Sequence, residues 1–207
     1  MKRITSKSLV AVALVAAMGI SLPAVAFADS STTTTTTSVS TNVTAATSAW
    51  HSFHLAWKAY VDGLKSINAS YRSSVDSARS AYLLAKSTAT TPAERQAALA
   101  TFDAALAAAL NVRVTAITAA GDPPAPPAGY NGTAWVQGVQ AANVAFRASA
   151  VAAQSAFATA IASATTSWQR HSARLTLELA LGNALVLRST ALEALGPPPT
   201  NPGQPSA

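Results

Sequence analysis

The chain contains no cysteine. Disulfides, thiolate metal sites and a lipid-modified N-terminal cysteine are therefore excluded, and stability has to come from packing. Charge is also scarce, at 11% of the 207 residues, with only 8 acidic against 14 basic side chains. The cations are spread singly and interleaved with Asp62, Asp76, Glu94, Asp103, Glu178 and Glu193. A nucleic-acid surface would gather them on one face, so no nucleic-acid partner is expected. Aromatic residues make up 6% while apolar residues reach 50%, because alanine supplies most of the apolar half. Alanine is the best helix former and a poor core filler, which favours long helices packed closely at small side chains. No Gly-rich phosphate loop, no HExxH pattern and no Ser, His and Asp constellation occurs, so a non-enzymatic protein without a cofactor is expected.

Positions 1–28 have the layout of a secretory signal. Lys2, Arg3 and Lys7 precede an uncharged run from Ser8 to Ile20, and Ala26, Phe27 and Ala28 form an A-x-A cleavage site before Asp29. Ser21 and Pro23 interrupt the apolar run before it reaches the ~20 residues of a membrane span. A secreted or extracytoplasmic location, with cell-surface association an option, follows as the expectation. Removing Lys2, Arg3 and Lys7 lowers the formal charge from +6 to +3, so the basicity of the whole chain overstates that of the mature protein. Residues 29–42 are mostly Ser and Thr, with six consecutive threonines from Thr32 to Thr37. They read as a disordered stalk, either a plain spacer or a carrier of O-linked glycans.

Beyond the stalk the chain nearly repeats itself. A shift of 75 positions superposes Asn68, Arg72, Arg95, Leu106, Leu110, Arg113, Gly121 and Pro123 on Asn143, Arg147, Arg170, Leu181, Leu185, Arg188, Gly196 and Pro198 without a gap. A period this long reads as two copies of one supersecondary unit, each closing its apolar face against the other. Within the first copy Trp50, Phe53, Trp57, Tyr60, Leu64, Ile67, Tyr71, Val75, Ala78, Tyr82 and Ala85 recur at steps of three and four, the spacing of a helix with one buried seam. Thr91, Pro92 and Glu94 spell a capping box with proline at the first helical position, and Thr166 with Gln169 stands at the matching place. The second copy lacks the Pro and Glu, which predicts a weaker cap. Gly121 before Pro123 and Gly196 before Pro197 stop the second and fourth helices.

The predicted architecture is all-α: an up-down four-helix bundle of two tandem helical hairpins, residues 43–121 and 133–196, joined by a Pro/Gly linker at 122–132 and followed by a disordered Pro-rich tail at 197–207. Exchange of a hairpin between two chains is the alternative assembly. The segment formed by Tyr71, Arg72, Ala81, Tyr82, Thr91, Pro92, Ala93, Glu94 and Arg95, closing on Gly121 and Pro123, resembles the repeat unit of small exported alanine-rich proteins of high-GC Gram-positive bacteria. That resemblance implies an extracytoplasmic helical-repeat protein without an assigned function.

One feature departs from the repeat. Thr133, where the third helix is expected to start, matches Lys58, so Trp50, His51, Phe53, His54 and Trp57 have no counterpart and form an overhang on the first helix. Pro123, Pro124, Pro126, Pro127 and Tyr130 could fold back as its cover. Left open, the patch is a binding surface for a protein partner or for self-association, and this is the expected function. His51 and His54, three apart, are the only weak candidates for metal ligands, and no nearby carboxylate completes a shell. Arg113, beside Leu110 and Val114, is expected to cover apolar surface with its stem while its head reaches water. The competing class is a membrane-surface or lipid-binding amphipathic protein.

Overall fold

The computed structural model describes residues 37–200, with side chains from residue 48 onward. The signal segment at 1–28, the stalk up to residue 36 and the end of the tail at 201–207 lie outside the described residues. Four helices run in chain order: α1 (Thr37–Thr88), α2 (Pro92–Ala119), α3 (Thr133–Ala162) and α4 (Ser167–Ala194). The fold is an all-α four-helix bundle. Helices α2 to α4 have 28 to 30 residues, rods of about 45 Å at 1.5 Å per residue. Helix α1, with 52 residues, is nearly twice as long.

Helix α1 begins at Thr37, inside the span read as a disordered stalk, so residues 37–42 are helical instead. Threonine costs a helix at most ~0.7 kcal/mol per residue relative to alanine, and extending a formed helix carries no nucleation penalty. The heptad seam of α1 otherwise lies as its spacing dictates. Trp50, Phe53, Trp57 and Tyr71 are buried, Tyr60, Leu64, Ile67, Val75, Ala78 and Tyr82 are half-buried, and only Ala85 is exposed.

Helix α1 packs on α2, α2 on α3, and α3 on α4, while α4 does not close along its length onto α1. The bundle is therefore open on one side. A shared core still crosses it, with Tyr71 from α1, Leu106 and Leu110 from α2, Phe157 and Ile161 from α3, and Ala173 and Leu177 from α4. Polar contacts recur at a spacing of 75 residues within the two hairpins. Arg113 Nε donates to Asn68 Oδ1 at 3.0 Å and Arg188 Nε to Asn143 Oδ1 at 2.7 Å. Each guanidinium also lies over a ring, Tyr71 at 5.5 Å and Phe146 at 5.9 Å.

Both inter-helix turns are closed by complete capping boxes. Glu94 N donates to Thr91 Oγ1 at 3.2 Å while Glu94 Oε2 accepts from the backbone N–H groups of Thr90 and Thr91. Gln169 makes the same set with Thr165 and Thr166. The cap expected to be weaker thus lacks none of these hydrogen bonds, because the Gln amide oxygen accepts as the carboxylate does. Gly121 and Gly196, at φ 67° and 69°, end α2 and α4 in the left-handed conformation that other residues adopt only at a cost.

Thr91→Ala and Thr166→Ala are each expected to destabilise the bundle by ~1 kcal/mol, read as a shift in melting. The two caps should differ in acid. The N–H groups of Thr91 and Thr90 hold the Glu94 carboxyl below the usual carboxylate range. A depressed folded-state pKa contributes stability above the unfolded value, and that contribution is lost as pH falls through the folded one. Melting of the wild type should therefore converge on that of Glu94→Gln in acid, whereas the α4 cap, built on Gln169, has no carboxyl to titrate.

Candidate functional site

The aromatic patch on α1 is closed. Trp50, Phe53 and Trp57 are 6%, 6% and 8% exposed and form one cluster with Val136, edged by Val61, Tyr130 and Trp135. Trp50 meets Phe53 edge-on at 5.4 Å and Tyr130 edge-on at 6.0 Å. An open overhang able to receive a partner is thereby corrected: these aromatics lie level with the first turn of α3 and are core.

The cover comes from the linker and the first turn of α3. Gly132, at φ 88°, turns the chain into α3 just after Tyr130, so that Tyr130, Trp135 and Val136 all fall on the patch. The linker is pinned on several sides. Thr133 Oγ1 donates to Pro127 O at 2.8 Å, Gln140 Nε2 to Pro124 O at 2.9 Å, and Pro126 is buried. The beginning of the tail is held as well, by Asn131 Nδ2 donating to Thr200 O at 2.7 Å and Trp135 Nε1 to Gly196 O at 3.2 Å. His51 is exposed, while His54 stands half-buried at the cluster's edge, its ring 5.8 Å from that of Trp50. Burial, with the charge of His51 adding to it, lowers the His54 pKa. Among the described residues no group of three or more His, Cys, Asp or Glu side chains is assembled for a metal.

Several arginines serve as internal posts. Arg113 is 3% exposed, so its head does not reach water. It donates to Asn68 on α1 and to Gln154 on α3, tying three helices together. Arg147 donates to the Tyr60 hydroxyl and pairs with Asp122 at 3.1 Å, joining α3 to α1 and the linker. Arg170 pairs with Asp103 at 2.5 Å, with both side chains below 10% exposure, linking α4 to α2. These groups are used up in holding helices.

Among the described residues, most of the exposed large apolar side chains lie on α4. Trp168, Leu175, Leu179, Val186 and Leu187 are 72%, 50%, 67%, 65% and 69% exposed. Beside it, between α3 and α4, runs a groove of about 510 Å³ lined by Ala153, Ala156, Phe157, Ala160, Trp168, Ala173, Thr176 and Leu177 among others. Sequence reasoning centred on buried seams missed this face, although the spacing of Trp168, Leu175, Leu179 and Val186 carries it.

Fold and surface together define an open all-α bundle with one long helix, a closed aromatic end and an uncovered apolar face on its last helix. No family model matches the chain, and no curated protein or solved structure is significantly similar to it.

Proposed function

We propose that the chain is an exported, non-enzymatic helical-bundle module that acts by contact, as an interaction or structural element outside the cytoplasm. The observation that carries this reading is the row of exposed large apolar side chains on α4, since contiguous apolar surface of that kind marks an interaction site. With the α1 aromatics enclosed, the contact surface of this proposal moves from α1 to α4. Export rests on the n-region, apolar run and A-x-A site of residues 1–28, together with the likeness to exported alanine-rich proteins. N-terminal sequencing of material recovered outside the producing cell should begin at Asp29. A chain that keeps Met1 and stays inside would overturn export.

A second reading has its own support: α2, α3 and α4 are long and apolar enough to cross a membrane. Against a lipid-seeking surface, the basic residues of α4, Arg170, Arg174 and Arg188, are buried or half-buried while Glu178 and Glu193 are exposed, where membrane-surface helices place exposed basic residues on the polar face. Flotation with phosphatidylcholine vesicles separates the two. The contact module stays in the aqueous fraction, and co-flotation favours the membrane reading.

A further inference from the structure

We propose that α4 is a homodimer interface, occupied by the α4 of a second copy running antiparallel to it. The inference rests on reading the α4 face as the contact surface and names its occupant. Trp168, Ser172, Leu175, Leu179, Gly182, Val186, Ser189 and Glu193 follow one another at steps of 4, 3, 4, 3, 4, 3 and 4. That is the spacing of a helix paired with a helix, flanked by the exposed Leu185 and Leu187. The corresponding outer positions of α2, 75 residues earlier, hold Ala93, Ala100, Ala104 and Asn111, all exposed. At these four positions large apolar residues thus occur on α4 alone of this pair, Val112 being the large apolar residue that α2 exposes elsewhere.

The seam is self-complementary in one direction only. Gly182 sits in the middle of α4, where glycine weakens a helix, and a Cβ added there would meet nothing within 4 Å. Nothing among the described residues explains it. Turned antiparallel about a dyad between residues 179 and 182, each Leu179 enters the notch at Gly182 of the other copy, and Leu175 meets Val186. At both ends Trp168, with its indole N–H, and His171 arrive beside the carboxylate of Glu193, a complementary polar closure. A parallel pair would instead set Gly182 against Gly182, leaving a void, and Glu193 against Glu193. The result is an isologous two-fold contact, the commonest symmetry of soluble oligomers.

The absence of cysteine makes the test clean. Sedimentation of the purified chain at micromolar concentration should give twice the chain mass. Leu179→Glu should give the single mass with unchanged helicity, because Leu179 is exposed in one copy, and with a melting temperature that no longer rises with chain concentration. The antiparallel dyad places the two copies of residue 179 only about 5 Å apart along the axis, and those of residue 186 about 16 Å apart. Leu179→Cys should therefore cross-link under mild oxidation and Val186→Cys should not, since a disulfide tolerates a Cα separation of at most about 7 Å. A single-chain mass at every concentration, a dimer that survives Leu179→Glu, or equal cross-linking at both positions overturns the proposal. If the chain is monomeric, phosphatidylcholine flotation that Leu179→Glu abolishes would keep α4 as a contact face and assign it to lipid. A monomer that does not float would remove α4 as a contact face altogether.

Discussion

Replacing Arg170 by methionine is expected to destabilise the bundle by about 3–5 kcal/mol. The guanidinium and the Asp103 carboxylate are 7% and 3% exposed, and Arg170 also donates to Ala164 O at 3.0 Å, anchoring the turn that precedes α4. Removing it strands a buried carboxylate. Among the described residues Asp103 Oδ1 has no hydrogen-bond partner, so no second group there stands ready to take over the charge. Bringing two charges out of water offsets most of their attraction, so the pair adds little beyond what apolar residues of the same volume would. The double change Asp103→Leu with Arg170→Met should accordingly recover most of the loss. Urea midpoints for the two single variants and the double variant provide the check. Equal and additive losses would show that the two side chains do not act on each other.

That pair marks where the sequence stops being legible. Arg170 and Asp103 stand 67 positions apart on different hairpins, and the 75-residue shift matches them to Arg95 and Glu178, both exposed. Equivalence in the repeat therefore gives no sign that either residue is buried. Helices, turns and caps were legible because each depends on neighbours a few positions away: heptad spacing, Thr with Glu or Gln three residues on, glycine before proline. The burial of Arg113 was not, because its acceptors Asn68 and Gln154 arrive from two other helices. A signal was available in the recurrence of the Asn68 and Arg113 pair as Asn143 and Arg188. Trp50, Phe53 and Trp57 were recognisable as a patch, but whether it is open depends on how Gly132 directs Tyr130 and Val136, a tertiary outcome with no local signature. The outer face of α4 stood at heptad spacing throughout. What hid it is that spacing alone gives a seam and not its partner, and among the described residues the seam has none.

Replacing Trp50, Phe53 and Trp57 together by alanine is expected to have the largest effect of any change outside the shared core. Truncating a buried aromatic costs ~3–5 kcal/mol, through lost transfer energy and the cavity left behind. The three rings touch in sequence, at 5.4 Å between Trp50 and Phe53 and 6.2 Å between Phe53 and Trp57, so their losses will not simply add. Even so the sum approaches the ~5–15 kcal/mol that holds a whole domain together. The damage should begin locally, because this cluster is where Tyr130, Trp135 and Val136 dock: the N-terminal part of α1 frays and the linker comes loose. Limited proteolysis should then cut near residues 128–132 well before the helical signal at 222 nm collapses, and melting should fall far below that of the parent. Dimerisation through α4 should persist at temperatures where the variant remains folded, since none of the three residues lies on that helix. Unchanged melting with loss of association would reverse the assignment and return the contact surface to α1, because only an uncovered patch can lose three large aromatics without cost to the fold.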